Sequence, residues 1–195
     1  IEDAGDHWIV NGHKWFTGNA GVPGWSFTVL IGVTDPDAAA YARHSALIVP
    51  IDLPGVHVVR HIPTLGFSDR WRPNAEVVFE NVRVPKENLL VAEGAGFEIS
   101  QGRLGPGRIH HCMRAIGMAE RALELMIQRS MSREAFGKPL YQLGANYDII
   151  ANSRIKIEQA RLLCLKAAWM MDQGDPRQAA PWISMIKVAA PIMAG

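Results

Sequence analysis

The chain has 195 residues, 48% of them hydrophobic, and its 20 Lys+Arg against 19 Asp+Glu leave a net charge of +1. Both signs are interspersed, which excludes the basic stripe of a nucleic-acid or membrane-surface protein, and no apolar run reaches the roughly 18–20 residues that span a bilayer. Two cysteines, Cys112 and Cys164, are too few for a disulfide scaffold or a zinc site, so the expected setting is a reducing compartment and no metal is expected.

The first ninety residues are written in a strand period. His7–Val10 and His13–Thr17 flank Asn11-Gly12, a pair that favours a two-residue hairpin turn because both turn positions need positive φ. Ser26–Val33 reads as a buried strand closed by Asp35-Pro36-Asp37, and Ser45–Ile51 as another ended at Pro54-Gly55. Val56–His61, Ala75–Phe79 and Val82–Val84 complete a set of short strands punctuated by Gly and Pro. That spacing predicts an antiparallel β-barrel or sandwich.

After Pro85 the period changes. Phe97–Arg103 predicts one or two helical turns, broken by Gly105-Pro106-Gly107, with Pro106 suited to the first turn of a new helix. From there Ile109, Cys112, Met113, Ile116, Leu123 and Met126 form an apolar stripe over about seven turns. A second helix is predicted from Asn146 to Asp172 with Ile150, Ile157, Ala160, Leu163 and Met171 inward, and a third from near Gln178. The expected fold is therefore α+β, with a β-domain over 1–93 and the start of an antiparallel helical bundle over 97–195.

Four groups of residues invite a functional reading. Trp15 and Thr17, two apart on a strand around Phe16, either present a flat ring and a hydroxyl to an aromatic ligand or simply pack. Gly107 and Arg108, in a glycine-rich helix start, suit an anion or mark an ordinary break. His110 and His111 point about 100° apart on a helix and read as structural histidines rather than ligands of one ion; Cys112 and Cys164 read as packing. Arg133 to Leu140 carries two cations, an aromatic and a Gly…Pro turn, and reads as a solvated loop or as a loop for pyrophosphate with Phe136 over a flat base.

Taken together and in order, these segments resemble the acyl-CoA dehydrogenase family. Ile9 to Thr17 is similar to its I-x-N-G-x-K-x-W-I-T run with one spacer residue fewer, and Phe79 to Leu90 to its F-x-x-V-x-V-P-x-x-N-x-L segment. Gly94-Ala95-Gly96-Phe97 resembles its glycine turn, and Arg133 through Phe136-Gly137-Lys138-Pro139-Leu140 its R-x-x-F-G-K-x-L loop. The run Gly102 to Arg114 resembles one branch whose eukaryotic members carry kinase-like domains.

The resemblance implies FAD as cofactor and oxidation of an acyl-CoA to the trans-2-enoyl-CoA, a carboxylate taking the α-proton while the β-carbon gives hydride to flavin N5. It implies that Trp15 and Phe16 lie at the flavin, that the Thr17 hydroxyl approaches N5, and that Arg133 and Phe136 reach the FAD pyrophosphate and adenine of a neighbouring subunit, hence a homodimer or homotetramer. Arg108 and Gly107 would line the acyl-CoA site, and His44 or Arg43 would meet CoA phosphates. Gly107 stands where one subset carries its catalytic glutamate, so the base is expected beyond Gly195, and the glutamine expected after the Arg–Phe loop is replaced around Leu143-Gly144. With the family's T-E-P-x-A-G-S-D run also absent, the chain is expected to be an internal fragment, inactive alone. An electron-transfer flavoprotein is the expected electron acceptor, in the cytoplasm of a bacterium or in a eukaryotic mitochondrion or peroxisome. A flavin oxidase or monooxygenase on the same fold and a non-catalytic interaction module remain as alternatives.

Overall fold

The structure, a computed structural model, describes residues 1–67 and 72–195. The chain forms two compact units, Ile1–Gln101 and Gly102–Gly195.

In the first unit, β1 (Glu2–Asp3), β2 (His7–Gly18), β5 (Val56–Ile62) and β6 (Asn74–Pro85) make one antiparallel sheet in the order β1-β2-β6-β5. A second sheet pairs β3 (Phe27–Val33) with β4 (His44–Pro50). Residues of both sheets share one core, with Trp8, Val10, Val77, Phe79, Val82 and Val84 on one side and Leu30, Leu47 and Val49 on the other. The unit is thus a pair of open sheets with a common core; the barrel alternative falls away because, among the described residues, the sheet ends do not pair into a closed ring. Lys14 joins the two sheets, its Nζ donating to the Ile31 carbonyl at 2.7 Å, and partial desolvation of this ammonium pushes its pKa down.

Two expectations fail here for non-local reasons. Asn11-Gly12 is no hairpin turn, since β2 runs straight through it. Instead Val10 pairs with Val82 and Gly12 with Phe79, so Asn11 faces two residues of β6, Glu80 and Asn81. Asn81 takes the positive φ (50°), and the Asn11 side chain holds it by accepting from the Asn81 backbone N–H at 2.7 Å and donating to Asn81 Oδ1 at 3.2 Å. For the same reason Ala75–Phe79 and Val82–Val84 are one bulged strand rather than two. Second, β3 is not a buried strand: only Leu30 is buried, while Phe27, Val29 and Val33 are exposed, because β3 pairs with β4 alone and turns alternate residues away from the shared core.

The second unit is helical. The expected break at Gly105-Pro106-Gly107 is absent, and α1 runs from Gly96 to Ser132 through Pro106. Proline removes one helical hydrogen bond, yet the helix continues on both sides of it. Of the predicted stripe, Ile109, Cys112, Ile116 and Leu123 are buried, whereas Met113 is 57% exposed; the inward face is narrower than predicted and Met113 lies on its flank. α2 (Asn146–Asp172) has the predicted ends, burying Ile157, Ala160, Cys164 and Ala167, with Ile150, Leu163 and Met171 packed partly against that core. α3 (Pro176–Ala194) starts two residues before Gln178 because Asp175 caps it, accepting from the Arg177 N–H at 2.9 Å.

Side-chain contacts fix the directions. Cys164 donates to the Ile109 carbonyl while Arg154 pairs with Glu120, so α1 and α2 are antiparallel. Both thiols are buried, with pKa values pushed up chiefly by desolvation, as packing groups should be. Among the described residues no helix is long and apolar enough to cross a membrane.

Asn11→Ala is expected to cost about 1 kcal/mol by removing two exposed hydrogen bonds. Asn81→Gly should be nearly neutral and Asn81→Val clearly destabilising, since only the valine is strained at positive φ. Urea melts of the three variants make the comparison. In the second unit Ile186→Ala, at a side chain 1% exposed, is expected to cost about 2–5 kcal/mol in the same assay.

Candidate functional site

A second pair of bulges builds the candidate site. Lys14 pairs with Val77 and Thr17 with Ala75, so Trp15 and Phe16 together face the single residue Glu76. On the other side of β6, Val58 pairs with Val77 and Arg60 with Glu76, leaving Val59 extra. Both neighbours of β6 therefore carry one residue too many at the level of Glu76, a local arrangement that re-aims side chains. Phe16 takes positive φ (56°) at its bulge, and the Trp15 and Phe16 rings meet edge to face at 5.7 Å. Trp15 is 53% exposed, Phe16 is also exposed, and Thr17 is half-buried beside them.

Polar groups gather around the same point. Glu76 accepts from Arg60 Nε at 2.6 Å and lies 2.8 Å from His13 Nε2, while the Arg60 guanidinium stands 4.9 Å from the Trp15 ring centroid. The Arg60 hydrogen bond, opposed by partial desolvation and aided by His13, holds the Glu76 carboxyl below the usual carboxylate range. Neither Arg60, Glu76 nor His13 stands out in the sequence. Each looks like an ordinary polar position of an alternating strand, and only the bulged register assembles them.

The other candidates lie elsewhere. His44 opens β4 opposite Val33, half-buried, its carbonyl packed against Gly96; Arg43 precedes it, its Nε donating to the Ala38 carbonyl at 2.8 Å. Neither joins the Trp15 cluster. Gly107 and Arg108 lie inside α1, not at a helix start, so the backbone N–H groups there serve the helix and the anion-binding reading of that turn is withdrawn; Arg108 is exposed. Near them His111 lies beside Arg114, whose charge is the main cause of its lowered pKa.

Arg133 and Phe136 belong to a miniature hairpin, β7 (Glu134–Ala135) and β8 (Lys138–Pro139). Phe136 (φ 54°) and Gly137 (φ 73°) form its two-residue turn, both in the left-handed region that such a turn demands. Phe136 is held at the tip, 96% exposed, and the Arg133 carbonyl accepts from the Leu140 N–H at the base. A turn that displays an aromatic ring to solvent beside a cation suits a flat base and a phosphate ester.

Comparison with known proteins decides the family. The profile of the acyl-CoA dehydrogenase middle domain matches residues 1–82, and that of the acyl-CoA dehydrogenase C-terminal domain matches 94–194. The chain belongs to the acyl-CoA dehydrogenase family. It is 51% identical over 194 residues to "Probable acyl-CoA dehydrogenase FadE2" of Mycobacterium tuberculosis, and 52% identical to acyl-CoA dehydrogenase family member 10 of Mus musculus. All of this chain is covered in both cases, but only 47% and 18% of those relatives, so it spans about half or less of their length. Among solved structures, a candidate acyl-CoA dehydrogenase from Mycobacterium abscessus superposes with a TM-score of 0.93 at 49% identity, covering 99% of this chain and 47% of that one. Butyryl-CoA dehydrogenase from Megasphaera elsdenii gives 0.82 at 29% identity over 99% of this chain and 51% of its own. A chain of the electron transferring flavoprotein structure of Acidaminococcus fermentans gives 0.85 at 32% identity, over 98% and 49%.

Because hydrogen bonding lowers the Glu76 pKa in the folded state, its contribution to stability is present above the usual carboxylate range and disappears as pH falls through the lowered value. The stability gap between the unaltered protein and Glu76→Gln should be full at neutral pH and close under acid. Paired urea melts at about pH 7 and about pH 3 would read it; a gap independent of pH would contradict the ion pair.

Proposed function

We propose that this chain supplies the flavin-facing β surface and the first helices of an FAD-dependent acyl-CoA dehydrogenase that converts an acyl-CoA thioester to the trans-2-enoyl-CoA. The observation that carries the proposal is the β2 bulge, which displays the Trp15 ring on the surface, with half-buried Thr17 closing the same bulge opposite Ala75. The residues fit a flavin: an indole half exposed at a fixed bulge can lie against a flat tricyclic ring, and a neighbouring hydroxyl can donate to a ring nitrogen. When bound, the flavin supplies the two-electron oxidation of the Cα–Cβ bond.

In this reading Thr17 stabilises the negative charge that develops on the flavin, by a hydrogen bond set before reaction. Arg133 and Phe136 hold the pyrophosphate and adenine of FAD bound to a second subunit, which makes the enzyme a homodimer or homotetramer. Arg108 lines the acyl-CoA site. Gly107 carries no acid–base group, so the proton-abstracting carboxylate is assigned to sequence outside these 195 residues. An electron-transfer flavoprotein is the proposed acceptor, consistent with the kinship to the Acidaminococcus chain.

The test is made on the full-length protein that contains this chain. It is expected to purify with flavin absorbance and to form enoyl-CoA with an electron-transfer flavoprotein as acceptor. Thr17→Ala should retain flavin yet slow its reduction by acyl-CoA about 10–100-fold, whereas Arg133→Ala should weaken flavin binding about tenfold. A native protein that binds no flavin would overturn the reading, and rapid reoxidation by air with release of peroxide would move it to an oxidase.

A further inference from the structure

An indole that is to serve as a platform for a flat ring must hold one orientation, yet a half-exposed tryptophan on a bare strand has several staggered rotamers open to it. At Trp15 the surroundings narrow that choice. Glu76 is the fixed point: 12% of its side chain is exposed, against 54% for Arg60 and for His13, which both reach in to it. Arg60 donates Nε–H to Glu76 and holds its guanidinium carbon over the Trp15 ring, 4.9 Å from the centroid. Phe16 borders the same ring edge to face. All of this depends on the paired bulges, which bring Trp15 from β2 and Arg60 from β5 to one residue of β6.

We propose that Glu76 and Arg60 are positioning residues for Trp15: the carboxylate fixes the guanidinium against one face of the indole, so that the other face is offered in a single orientation to the planar ring of the flavin. This rests on the flavin reading above. A guanidinium meets both demands because its Nε–H bonds in the plane while its flat face stacks. An ammonium at the same position would keep the charge but could not bond and stack at once.

The experiment uses the full-length protein labelled with 5-fluorotryptophan, the Trp15 resonance being assigned by its loss in Trp15→Phe. In flavin-free protein the ¹⁹F line of Trp15 is expected to be single and narrow, and to shift or broaden in Arg60→Met and in Glu76→Gln while the lines of Trp169 and Trp182 stay in place. Flavin affinity should fall about fivefold in Arg60→Met, the loss expected of one exposed cation–π contact, with partial recovery in Arg60→Lys. In a Trp15→Leu background, Arg60→Met should cost nothing further. An unmoved Trp15 line in both variants would overturn the proposal, as would an equal loss of flavin affinity with and without the indole. If Arg60→Met does not fold, Glu76→Gln carries the same comparison. Failure of the native protein to bind flavin would refute the functional reading alone, since the ¹⁹F comparison needs no flavin.

Discussion

The first unit depends on one constraint, the uneven residue count on either side of β6. At Glu76 both neighbouring strands carry an extra residue, and at Asn81 it is β6 that carries one. A strand pair with a perfect two-residue period would send Trp15 and Thr17 to one face and Phe16 to the other. The bulge breaks that alternation without breaking the core, because Val77, Phe79, Val82 and Val84 stay buried along the same strand. The site is thus written into an irregularity of the sheet while the regular part of that strand supplies the stability.

Lys14 shows how closely support and display are linked. It lies next to Trp15 in sequence, yet its ammonium turns the other way and bonds the Ile31 carbonyl of the second sheet. The ammonium is held there at a cost in desolvation, and the hydrogen bond offsets part of that cost. Adjacent residues therefore serve opposite faces: one clamps two sheets together and the next offers its ring to solvent.

The second unit solves a different problem. Its core is built from small residues, Ala160, Ala167, Ala179 and Ala190, alternating with Ile109, Ile116, Ile157 and Ile186, which lets helices approach closely. Where polar groups meet between α1 and α2 they do so as a network: Glu120 binds both Arg154 and Arg161, and Glu158 binds them from α2 itself. The Arg154 hydrogen bond holds the Glu120 carboxyl below the usual range, and the two glutamates hold the Arg154 guanidinium charged in turn. Each pair is partly exposed and weak alone; shared partners make the set directional, fixing how α1 and α2 register.

By itself the sequence determined the class of each half, the limits of α2 and the motif order that marks the family, because amphipathic periods and short motifs are local properties of a chain. Local reasoning misjudged Asn11-Gly12 and Gly105-Pro106-Gly107 for one shared reason: both carry strong turn signals that tertiary pairing overrode. The Asn81 backbone claimed the Asn11 side chain across the sheet, and the packing of α1 on α2 and α3 kept the helix continuous through a proline. The candidate residues Trp15, Thr17, Arg133 and Phe136 were legible from motifs, but the hairpin that displays Phe136 was not, because its pairs Glu134-Ala135 and Lys138-Pro139 are poor strand formers. Arg60, Glu76 and His13 were not legible, since they stand 16 to 63 residues apart in hydrogen-bonded pairs. Only the bulged register, a property of three strands at once, decided that they meet beside Trp15.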